Sequence, residues 1–165
     1  MSSAIATPAT PAAGSYTSSN SNASVGLPTS GANANYSSGG TLTVPGGNYV
    51  LNSMNISGTT LQFTGPTTIW MYGSVSLSGS SLLAYQNKPT NLQIKFCTSA
   101  GFNLSGSAVY AVVTAPTTPA NLNASSNLVG SIIASQISLN ASSIYFDKQL
   151  GTNGDGGGGG STIVQ

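Results

Sequence analysis

Apolar positions in the middle of the chain recur inside one repeated phrase. NISGTTLQF, residues 55–63, returns as SLSGSSLLA, NLSGSAVYA, NLNASSNLV and SLNASSIYF. Aligned on the first Ile or Leu, the anchors are Ile56, Leu77, Leu104, Leu122 and Leu139, separated by 21, 27, 18 and 17 residues. Two positions earlier stand Met54, Val75, Phe102, Ala120 and Ile137. Five later stand Leu61, Leu82, Val109, Asn127 and Ile144, and seven later Phe63, Ala84, Ala111, Val129 and Phe146. Of these 20 sites 19 are apolar, Asn127 being the exception. The period is two on each side of a Gly/Ala–Ser/Thr step, with the phase shifted across it, so each phrase predicts a strand, a corner and a second strand. At Asn127 either the chain slips by one, turning Leu128 inward, or the amide is buried and bonds to backbone.

Self-similarity at about 20 residues is the mark of a solenoid, where each coil buries its apolar face only by stacking on its neighbours. The predicted fold is all-β: a single-stranded parallel β-helix of about five or six coils, roughly 25 to 30 Å long at ~4.8 Å per coil. Gly58, Gly79, Gly106, Ala124 and Ala141 mark the corners. Unequal spacings predict one cross-section with loops of different length.

The flanks read differently. Residues 1–40 are mostly Ser, Thr, Ala, Asn, Gly and Pro, which predicts a low-complexity linker or extended arm, with the β-helix domain at 41–150. Residues 151–165 form a glycine-rich tail, and Thr162, Ile163 and Val164 within STIVQ are a candidate assembly strand.

Charge narrows the function classes. Charged residues make up 3% of the 165 residues, the net charge is +1, and His, Arg and Glu are absent. A chain without a basic patch lacks the footprint for phosphate backbones, so nucleic acid is not an expected partner. Without a run of 18 apolar residues no membrane span is expected, and MSSAIATPATPAAG has neither a basic region nor an apolar core of a signal peptide. A hydroxyl- and amide-rich surface points to an extracellular or cell-surface location, for a segment whose export signal is missing. Cys97, the only cysteine, excludes an intramolecular disulfide and reads as a small buried hydrophobe.

In order along the chain, GPTTIWMYGSVSLSG, YAVVTAPTTPANL and SIYFDKQLG resemble the β-helix domain found behind PilX-like pilus-assembly leaders in bacterial surface proteins. The likeness covers about residues 41–151. It implies a surface or pilus-associated structural module. Two departures stand out: the membrane-spanning pilin-like helix is missing, and STIVQ replaces an aromatic-rich final strand.

Catalytic chemistry needs positioned titratable groups. Asp147 neighbours Lys148, Asp155 lies among glycines, and the other charges are Lys88 and Lys95. No carboxylate pair, histidine or metal-ligand cluster is legible, so no enzyme activity, cofactor or metal is expected. Six Asn-x-Ser sequons, at Asn22, Asn35, Asn55, Asn103, Asn123 and Asn140, read chiefly as turn-forming asparagines. Trp70 and Tyr72 fall on the outward phase of their strand and are a candidate contact surface, the alternative being packing under a loop. The expected function is a non-catalytic assembly module of an extracellular surface or pilus-like filament, forming homo-oligomers through solenoid ends or terminal strands. The alternative is a binding solenoid for glycan, or for ice through stacked threonines.

Overall fold

The structure, a computed structural model, describes residues 9–146. Every strand pairing in it is parallel, and the chain winds a β-solenoid of about six turns. The strands are β1 (Ala32–Tyr36), β2 (Thr41–Val44), β3 (Gly47–Ser57), β4 (Thr60–Phe63), β5 (Thr67–Met71) and β6 (Val75–Ser78), followed by β7 (Ser81–Leu83), β8 (Leu92–Phe96), β9 (Phe102–Ser105), β10 (Ala108–Asn123), β11 (Asn127–Leu139) and β12 (Ser143–Phe146).

Their pairings sort into three faces. The first stacks β1, residues 54–57 of β3, β6, β9, residues 120–123 of β10 and residues 136–139 of β11. The second stacks β2, β4, β7, the starts of β10 and β11, and β12. On the third lie residues 47–51 of β3, β5, β8 and the middles of β10 and β11. The chain visits the faces in that order and climbs one rung per circuit, so the three longest strands simply continue round corners.

Inside, like sits on like. Ile56 pairs with Leu77, Leu77 with Leu104, Leu104 with Leu122 and Leu122 with Leu139, so the five anchors form one column. Its first four members are buried, and Leu139, in the last coil, is 51% exposed. The 27-residue coil contains a loop with two short 3-10 turns, Tyr85–Asn87 and Pro89–Asn91, between β7 and β8.

Corner chemistry explains the recurring small residue. Gly58, Gly79 and Gly106 turn with φ of 62°, 55° and 58°, in the left-handed region where a side chain is unfavourable. Ala124 (54°) and Ser125 (62°) both take this conformation, because this corner carries one extra residue. The extra residue produces the slip at Asn127: Leu128 pairs with Val109 and Ile144 and is fully buried, while Asn127 is half-buried. Gly130 then takes the inward place next to Ala111, where an added Cβ would collide with the Ala111 carbonyl.

Stacking starts before Thr41. Ala34 pairs with Met54 and Tyr36 with Ile56, so the stretch read as an arm contributes the first rung of the first face. Residues 47–51 of β3 belong to that same first coil. The segment before β1 folds back over the third face through 3-10 turns Gly14–Thr17 and Asn22–Val25. No helix among the described residues is long and apolar enough to cross a membrane.

Candidate functional site

The two ends of the solenoid differ chemically, and the difference starts from backbone. In a parallel strand, alternate residues direct their N–H and C=O to opposite neighbours. On the first rung of the third face, Asn48 and Val50 therefore present their groups away from β5. Asn48 N–H donates to Ser21 Oγ at 3.1 Å and Ser21 N–H donates to the Asn48 carbonyl at 2.6 Å. Val50 N–H donates to Asn22 Oδ1 at 2.9 Å, and Asn22 Nδ2 donates to the Val50 carbonyl at 2.7 Å and to the Pro28 carbonyl at 2.8 Å. Asn22 is completely buried there. A carboxamide carries the same donor and acceptor as a peptide group, so Ser21 and Asn22 imitate one more strand. Among the described residues β1 and β2 have no pairing on their outer edges, so the first coil is covered on one face of three.

The other end is apolar. Ile137, Leu139 and Phe146 continue the internal columns but are exposed, because no further described coil lies on them. Tyr145 is exposed beside them. Thr162, Ile163 and Val164 lie outside the described residues, as do Asp147, Lys148 and Asp155.

Trp70 and Tyr72 have separate fates. Trp70 points out of the solenoid, pairing with Val50 below and Lys95 above, but it is only 9% exposed. The folded-back segment covers it: Tyr16 stacks on the indole at 5.9 Å and Ala13 packs into the same cluster. Lys95 Nζ lies 4.9 Å from the ring centroid, an attraction between ammonium and indole face. The expectation of Trp70 as an open contact surface is thus corrected in favour of packing under a loop, since a large apolar ring recruits the nearest free chain. Tyr72 remains exposed at the corner beyond β5. Cys97, half-buried next to this cluster, has its thiol pKa pushed up by burial, against hydrogen bonds from Tyr72 and the Ala13 backbone that pull it down. The Tyr72 phenol is raised as well, by partial desolvation at the corner and by Cys97 beside it.

The asparagines of the repeat also differ from expectation. Three of the sequon asparagines, Asn35, Asn55 and Asn103, link coils across the outside of the first face instead of closing turns: Asn55 Nδ2 donates to Asn35 Oδ1 at 3.1 Å, and Asn121 Nδ2 to Asn103 Oδ1 at 2.9 Å. Register places Asn35, Asn55, Ser76, Asn103, Asn121 and Ser138 in one outward column. A shallow depression of about 300 Å³ crosses this column between Asn35, Ser57 and Ser78. Thr41 pairs with Thr60, but Thr67 is buried and Thr68 lies on another face. Among the described residues no three His, Cys, Asp or Glu side chains gather around one point.

Sequence reasoning missed a column of hydroxyls at the corner. Thr59, Ser80, Ser107 and Ser126 are buried. The Ser80 and Ser107 hydroxyls donate to carbonyls two residues back, at 2.9 and 3.1 Å. Ser107, Ser126 and Ser142 each accept a backbone N–H from the preceding coil, at 3.3, 3.2 and 3.1 Å. The invariable Ser or Thr after the corner residue was the signal. Compared with protein-family models, with curated proteins and with solved structures, the chain finds no match.

Proposed function

We propose that the chain is a non-catalytic structural module that self-associates by stacking the last coil of one copy on the first coil of another, within an extracellular surface or pilus-like filament. The observation that carries this reading is the pair of unlike ends. Among the described residues one end has unpaired strand edges on two faces, and the other exposes Ile137, Leu139 and Phe146 in register with the buried columns. Continuing the register seats Ile137 on Ala34 and Leu139 on Tyr36 of the next copy, apolar on apolar, with edge hydrogen bonds alongside. Near-absence of charge removes the usual protection against such pairing. The surface or pilus setting rests on the resemblance of residues 41–151 and on the neutral composition. Thr162, Ile163 and Val164, which lie outside the described residues, are a further candidate connector in this reading.

The test is mass against concentration by light scattering, for the full chain and for chains cut back before residue 32 or after residue 155. Mass should rise with concentration, and Leu139→Lys should remove the rise. A mass of one chain at every concentration in all three forms overturns the reading.

A second reading, glycan binding, is favoured by the depression on the first face, whose neutral amides and hydroxyls match the hydroxyls of an uncharged polysaccharide. Co-sedimentation with insoluble polysaccharides, lost on Asn55→Leu, would support it.

A further inference from the structure

We infer that residues 13–27 are a displaceable cap that restrains end-to-end association. The inference rests on the assembly reading above and adds its regulation. Among the described residues, a second copy approaching the first coil finds open edges on two faces, but on the third it meets Ser21 and Asn22 where the next rung would lie. The four backbone groups of Asn48 and Val50 that would recruit a strand are already satisfied by these two residues. Val25 and Leu27, from the same segment, line the mouth of the solenoid's apolar interior with Tyr36, Tyr49 and Phe63. Cap and incoming coil therefore exclude each other.

The cap is held at few points. Its two 3-10 turns bury Asn22 alone, and beyond the hydrogen bonds of Ser21 and Asn22 to Asn48 and Val50 its anchors are Ala13 and Tyr16 on Trp70 and the partly buried Val25 and Leu27. Segments with few buried side chains open locally at a small fraction of the global unfolding free energy. Lifting the segment exposes the Val50 edge and uncovers the Trp70 side of Cys97 without disturbing the coils. The partner that gains from opening is the last coil of a second copy, which replaces side-chain mimicry by a rung.

The experiment uses the full chain and two readouts. Cys97 is the only cysteine, so its alkylation by iodoacetamide reports cap opening, while sedimentation reports mass. Asn22→Ala should accelerate alkylation several-fold and lower the concentration for half-association at least ten-fold. Adding Leu139→Lys should return the mass to one chain, which non-specific aggregation would not do. Because Asn22→Ala empties a buried site, Tyr16→Ala serves as the second variant: it loosens the cap from a side chain that is 36% exposed. It should move both readouts the same way. Faster alkylation with unchanged association overturns the cap as a restraint and leaves a self-associating wild type consistent with the assembly reading. Unchanged alkylation in both variants overturns it too. No association in any form, the cap-released chains included, overturns the assembly reading itself.

Discussion

At the scale of single residues, the fold depends on two kinds of position that respond oppositely to substitution. Leu104 is 1% exposed between Leu77 and Leu122, so Leu104→Asp buries an unpartnered carboxylate and should cost several kcal/mol. Ser105, the next residue, points outward, and Ser105→Ala should leave the denaturation midpoint almost unchanged. Gly79 has open space around a hypothetical Cβ, yet its φ of 55° disfavours one. Gly79→Ala should therefore lower stability by about 1 kcal/mol and Ala124→Gly raise it by a similar amount, both read from urea unfolding. These positions were legible because alternation and a recurrent small residue record burial and turning directly. Asn22 was not legible: within SNSNASV nothing in residue type separates a buried strand mimic from its solvated neighbours.

Elements were legible to the extent that their inward residues are large. β3 to β12 announce themselves through Ile, Leu, Val and Phe, whereas β1 turns Ala32, Ala34 and Tyr36 inward within a polar stretch. Its spacing of 20 residues from β3 is visible once Ala34 is set against Met54, and β2 stands 19 residues before β4 in the same way, Leu42 against Leu61. The covering of Trp70 was illegible for another reason: phase in a strand tells which way a side chain points, not what chain segment later lies on it. Between elements, the hydroxyl column supplies what the apolar columns cannot, a directional bond from coil to coil at the corner. Ser107→Ala leaves the Ser80 N–H buried without an acceptor and should cost about 1 to 3 kcal/mol. Ser107→Thr, which keeps the hydroxyl, should recover most of this in the same unfolding assay.

For the whole molecule, the shifts at Cys97 and Tyr72 set a pH response. Both groups hold their protons more tightly when folded. The stability they contribute is complete below the ordinary thiol value and is lost as pH rises through the folded values. The melting temperature should accordingly fall as pH rises beyond the ordinary thiol range, and Tyr72→Phe should reduce the fall. A larger consequence follows from the uniformly parallel strands. A body whose chain direction is the same on every rung has polarity, and no two-fold axis can exchange its ends. Two copies joined last coil to first retain the same pair of unlike termini as one copy, so the joint is heterologous and geometry alone supplies no stopping point. On the assembly proposed above, length would be set by concentration and by how often a terminus is available for addition, not by symmetry.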